Sequence, residues 1–121
     1  MITDYFSLAG KKALITGAGK GIGARIATAY AEMGCDIALI ARTKSDLDSV
    51  ADAVSALGRE ALVYPCDIQD EAALAAVIED LTQRWSSLDI LVNNAGGPPP
   101  GDFRDWTRET WITALDANML A

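Results

Sequence analysis

The sequence contains no histidine and only two cysteines, Cys35 and Cys66. Without histidine there is no imidazole base, no Ser-His or Cys-His pair, and none of the mixed spacings that hold zinc. No metal centre is therefore expected. The two cysteines stand far apart and read as reduced, buried thiols of a cytoplasmic protein. Positive charge is scarce too, with 10 Lys and Arg against 17 Asp and Glu, a net charge of −7. An acidic surface repels phosphate backbones, which argues against nucleic acid as the main partner. Any bound anion must be held by local features. No apolar run approaches the ~20 residues of a membrane span. The opening "MITDYFSLAGKK" lacks the basic region and apolar core of a signal peptide. Internal repeats and low-complexity segments are absent as well.

What is present is a regular alternation. The 121 residues suffice for one domain and are too few for two. Short apolar runs at Ala13–Thr16, Ile37–Ala41, Ala61–Tyr64 and Ile90–Val92 read as strands. Between them lie helical patterns: Ile22, Ile26, Tyr30 and Met33, stopped by Gly34; Leu47, Val50, Val54 and Leu57, ended by Gly58; and Leu74, Val77, Ile78, Leu81 and Trp85, started by Asp70. The loop "AGGPPPGD" leads to a helix beginning near Thr107. The order βαβαβαβα with continuously apolar strands predicts an α/β fold. Its parallel sheet is covered by helices on both faces, a three-layer α/β/α arrangement. Right-handed crossovers make 3-2-1-4 the expected strand order, half of a doubly wound Rossmann-type fold.

The stretch "TGAGKGIG", Thr16 to Gly23, follows the first strand directly and carries four glycines. Strand, glycines, then helix is a geometry for binding phosphate. Glycine adds no Cβ, and the helix offers free N–H groups and the positive end of its dipole. A Walker loop is excluded, because Lys20 precedes Gly21 instead of Ser or Thr. Two threadings remain: a dinucleotide fingerprint over Gly19, Gly21 and Ala24, or a T-G-x-x-x-G-x-G pattern over Gly17, Gly21 and Gly23.

The second threading gains weight from "CDI", Cys66 to Ile68, after the third strand and "NNAG", Asn93 to Gly96, after the fourth. With these motifs the chain resembles the short-chain dehydrogenase/reductase superfamily, in its compact single-domain branch, from about Lys11 to Ala121. The resemblance implies a set of roles. Gly17, Gly21 and Gly23 would line the pyrophosphate, with Gly19 in the same loop and Ile22 contributing its backbone. Asp67 would bond the adenine amino group, and Ile68 would pack on its ring. Asn94, Ala95 and Gly96 would lie along the ribose next to the nicotinamide. NAD-binding members place an acid at the end of the second strand. Here Ala41 stands there, followed by Arg42 and Thr43. Arg42 and Lys20 match places where basic side chains of the family hold the 2′-phosphate, so NADP(H) is the expected cofactor, with Thr43 in the same corner.

The family reduces carbonyls with a Ser, a Tyr-x-x-x-Lys pair and an Asn. Only the asparagine has a match, Asn118 in "LDANMLA", placed three residues from Leu115 and seven from Trp111 on an apparent inward stripe. Tyr5, Tyr30 and Tyr64 are followed four positions later by Ala9, Gly34 and Ile68. None forms the pair. Residues 1–121 are accordingly expected to be the N-terminal dinucleotide-binding half of one Rossmann domain, broken off within the helix that carries Asn118. The parent would be an NADP-dependent carbonyl or secondary-alcohol oxidoreductase. It would be similar to 3-oxoacyl thioester reductases and would act on a small molecule as a homo-oligomer, a dimer or tetramer. The alternative is a non-catalytic dinucleotide-binding module completed by a partner.

Overall fold

In the computed structural model, which describes residues 1–121, four strands pair in parallel in the order β3-β2-β1-β4. They are β1 (Lys12–Thr16), β2 (Asp36–Ala41), β3 (Ala61–Pro65) and β4 (Ile90–Val92). They alternate with α1 (Gly21–Glu32), α2 (Lys44–Ala56), α3 (Glu71–Arg84) and α4 (Arg108–Leu115). Ile15 of β1 stands between Leu39 of β2 and Val92 of β4, and Leu39 stands beside Val63 of β3. This register brings the carboxyl ends of all four strands to one edge, the edge where α/β sheets bind ligands.

The two-residue period of the strands divides the core into two layers. Ala13, Ile15, Ile37 and Leu39 face one side, packed against Ala27 and Ala31 of α1 and Leu47, Val50 and Val54 of α2. Leu14, Ala38 and Ile40 face the other side with Leu81 of α3 and Trp85. Because both faces are covered, β1 and β2 read as unbroken apolar runs. Both cysteines are free and buried. Burial above all pushes the Cys35 thiol up to about 11.

Three details differ from the sequence reading. The buried stripe of α1 is Gly23, Ala27 and Ala31, not the larger residues one position earlier, and Ile22 is 73% exposed. Small side chains let this helix lie close to the sheet, which a pattern of bulky residues does not reveal. Ile78 of α3 is exposed and Leu57 lies at the exposed end of α2. The stripe on α4 is not inward: Trp111 is 46% and Leu115 47% exposed, and Asn118 is exposed as well. No element of these 121 residues covers that face. Asn118 itself lies in a π-helical turn, Asp116–Leu120, that continues α4.

The β1–α1 turn closes against the segment after β4 with almost no free space. A Cβ at Gly17, whose φ is 62°, would come within 2.9 Å of Ala95 Cα. A Cβ at Gly23 would overlap the Gly17 carbonyl and stand 2.6 Å from Asn94 Nδ2. Gly23→Ala is therefore expected to lower stability by about 1–3 kcal/mol, read as a lower urea midpoint. An unchanged midpoint would show that the turn can yield. A second expectation concerns β4, an edge strand with Leu91 55% exposed. Unpaired backbone beside exposed leucine favours association. Each large apolar side chain left exposed forfeits about 1.5–3 kcal/mol, against a typical domain stability of about 5–15 kcal/mol. The 121-residue chain made alone should self-associate, and Leu91→Lys should shift it toward monomer in sedimentation. A wild-type chain that is monomeric and melts cooperatively well above 50 °C would contradict this.

Candidate functional site

One side chain ties the carboxyl edge together. The Thr16 hydroxyl accepts the N–H groups of Asn94 and Ala95, both at 3.0 Å, and donates to the Val92 carbonyl at 3.4 Å. That uses its one proton and both lone pairs. Asn94 returns the contact, its Nδ2 donating to the carbonyls of Thr16 and Gly17 at 3.2 Å each. The loops after β1 and β4 are thus held as one rigid floor.

Above that floor lies a cleft of about 840 Å³. It runs across the sheet edge from the ends of β2 and β3 to the end of β4. At the β2 end it is lined by Ala41, Arg42, Thr43 and Asp46, and at the β3 end by Cys66, Asp67, Ile68 and Gln69. The glycine turn contributes Gly17, Gly19, Lys20 and Ile22, and the β4 end contributes Asn94, Ala95, Gly96 and the following prolines. Of the fourteen residues singled out from sequence, eleven therefore meet in one cavity.

Gly21, Gly23 and Asn118 do not line it. Gly23 is instead the contact point between α1 and the floor. The Asn118 amide is consumed by backbone. Its Oδ1 accepts from Gly97 N at 2.8 Å, and its Nδ2 donates to Gly97 O at 3.0 Å and Ala114 O at 2.7 Å. In these residues it clamps α4 to the segment after β4, with no donor left over.

The helices differ at their starts. Asp70 caps α3 by accepting from Ala73 N at 3.0 Å, and Thr107 caps α4 by accepting from Thr110 N at 3.2 Å. The two helices that begin at the cleft have no side-chain cap: α1 after Lys20 and α2 after Thr43. Their first N–H groups remain without intrahelical partners, as at every helix start. Neither Lys20 nor Arg42 takes part in an ion pair.

Sequence reasoning missed several lining residues. Asp46 lies against the turn: a Cβ on Gly19 would stand 3.0 Å from Asp46 Cβ. The first turn of α2 carries it there, one helical turn after Arg42, and that spacing was the available signal. Thr113, Ala114 and Ala117 close the far end, and nothing local in the sequence marks them. Cys66 also lines the cleft, but burial, with Asp70 and Asp67, raises its thiol pKa. It is a protonated wall atom and no nucleophile.

Comparison with known proteins agrees with this geometry. A family model described as short chain dehydrogenase matches residues 11–121. The 7alpha-hydroxysteroid dehydrogenase of Escherichia coli K12 is 39% identical over 119 residues, 98% of this chain and 46% of that protein. A short-chain type dehydrogenase/reductase from Mycobacterium marinum superposes with a TM-score of 0.90 at 36% identity, over 98% of this chain and 48% of that one. The NADP complex of Pseudomonas aeruginosa RhlG does so with a TM-score of 0.86 at 34% identity, over 96% and 45%. The chain spans about half the length of the curated relatives it matches. With its glycine turn, its NNAG segment and its 3-2-1-4 sheet, this chain belongs to the short-chain dehydrogenase family of oxidoreductases.

Proposed function

We propose that these residues form the coenzyme-binding half of an NADP-dependent oxidoreductase. The whole protein would transfer a hydride between the nicotinamide and a small carbonyl compound or secondary alcohol, with 3-oxoacyl thioesters among the candidate substrates, as a homo-oligomer. The observation that carries this reading is the pairing of uncapped helix starts with unpaired cations at one end of the cleft. α1 opens behind Lys20, and α2 opens behind Arg42 and Thr43. In an acidic protein two anion-attracting helix ends need a reason, and a dinucleotide with a 2′-phosphate supplies one.

The donor set fits that ligand part by part. The N–H groups at the start of α1, beside Gly17 and Gly19, would hold the pyrophosphate. Arg42, Lys20, Thr43 and the start of α2 would hold the 2′-phosphate. Asp67 would accept from the adenine amino group, and Ile68, which lines the same part of the cleft, would cover the ring. Asn94, Ala95 and Gly96 would support the nicotinamide ribose on the floor that Thr16 fixes. NADP(H), when bound, supplies or accepts the hydride. This chain's part is to bind and orient it. Asn118 would act by holding the wall next to the reacting carbon. The Ser and the Tyr-x-x-x-Lys pair that the chemistry requires are not among these residues and would come from the rest of the protein. Asp46, close to the same corner, offers a carboxylate to a ribose hydroxyl, so some use of NAD is expected alongside NADP.

Removing both cations tests the reading. In the full-length enzyme, Lys20→Ala with Arg42→Ala is expected to raise the NADPH Michaelis constant by about tenfold or more, since each charge-assisted bond contributes about 1.5–3 kcal/mol. The NADH constant should stay nearly unchanged. Equal losses for both coenzymes would remove the 2′-phosphate role. A full-length protein without NADPH-dependent turnover of any ketone would favour a binding module.

A further inference from the structure

The end of the cleft over β4 has an unusual chemistry. Its wall is Gly97, Pro98, Pro99 and Pro100, faced by Thr113, Ala114 and Ala117. Prolines have no N–H and a fixed φ. Both backbone groups of Gly97 are taken, the N–H by Asn118 Oδ1 at 2.8 Å and the carbonyl by Asn118 Nδ2 at 3.0 Å. The Thr113 hydroxyl spends its proton on the Glu109 carbonyl at 3.0 Å. The alanines offer methyl groups only. The polar side chains of Glu109 and Thr110 do not line the cleft; they line a separate hollow of about 270 Å³ that also touches Pro99. Seven residues thus present hydrocarbon and carbonyl oxygen without one free hydrogen-bond donor.

From this donor-free wall we infer the substrate class: an apolar ketone, aliphatic or alicyclic, or the corresponding secondary alcohol, in preference to a polyhydroxylated one. The inference rests on the oxidoreductase reading above. The wall lies at the end of the cleft opposite Lys20 and Arg42, where the nicotinamide and the reacting carbon would sit. A ketose or sugar acid that enters must shed water from several hydroxyl oxygens and a carboxylate. A wall with no donor leaves those acceptors unpaired, and unpaired acceptors are costly. An apolar substrate loses no hydrogen bond there. The wall cannot adapt either, because three consecutive prolines restrict its backbone and the Asn118 clamp fixes its first residue. Pro98 and Pro99 are on this account specificity-determining residues.

The test uses the full-length enzyme with NADPH and two probes, cyclohexanone and 5-ketogluconate. The wild type should show a kcat/KM about 100-fold higher for cyclohexanone, the range that unpaired polar groups impose on discrimination. Pro98→Ser with Pro99→Ser returns two N–H groups and adds two hydroxyls. It should lower that ratio about tenfold, through KM for the two probes, with the NADPH constant unchanged. Pro98→Ala with Pro99→Ala, which returns the N–H groups alone, should fall between. A wild-type preference for 5-ketogluconate, or a ratio that both variants leave unmoved while NADPH still binds, would overturn the inference and leave the oxidoreductase reading intact. Failure of the wild type to turn over any carbonyl with either coenzyme would overturn both.

Discussion

The site depends on the Thr16 hydroxyl. It is the last side chain of β1, and it satisfies two backbone N–H groups of the segment that follows β4. Without it, Asn94 and Ala95 would lose acceptors at the half-buried base of the cleft, and an orphaned donor costs about 1–3 kcal/mol. Asn94 in turn anchors the carbonyls of Thr16 and Gly17. That contact leaves no room for a Cβ at Gly17 or Gly23. The position of α1, the width of the turn and the depth of the cleft all follow from this one tie between two strand ends.

On the proposed reading, an acidic chain holds an anion through local direction and not through net charge. The net charge of −7 gives no general attraction. What the fold supplies is direction. The register sets the carboxyl ends of the strands level, and the short turns after β1 and β2 start α1 and α2 toward the same cleft. Helix starts and two unpaired cations then act over a few ångströms, where local geometry outweighs the distant negative field. The other end of the cleft is built oppositely, from prolines and spent hydrogen bonds. One cavity therefore has an end with two unpaired cations and two uncapped helix starts, and a donor-free end.

Much of this was legible in the sequence because it is periodic or local. Strand identity, strand order and the glycine turn follow from apolar runs and from "TGAGKGIG". The α1 stripe was read one residue early because its contact surface is made of Gly23, Ala27 and Ala31, and small residues leave a weak hydrophobic pattern. The face of α4 was misread because spacing says which residues share a face, not whether anything covers it. Thr16 and Asp46 were not recognised, since their roles arise between segments distant in sequence or one helical turn apart. The pairing of Asn118 with Gly97, 21 residues away, could be seen only once the chain was folded.

The central claim is that the cleft holds a dinucleotide with its 2′-phosphate at the β2 end. A crystal structure of the full-length protein with NADP⁺ tests it most directly. The account predicts the pyrophosphate at the start of α1, the 2′-phosphate within hydrogen-bond distance of Arg42 and Lys20, and the nicotinamide beside Gly96. A coenzyme bound in the reverse direction, or a 2′-phosphate directed into solvent with both cations turned away, would contradict it.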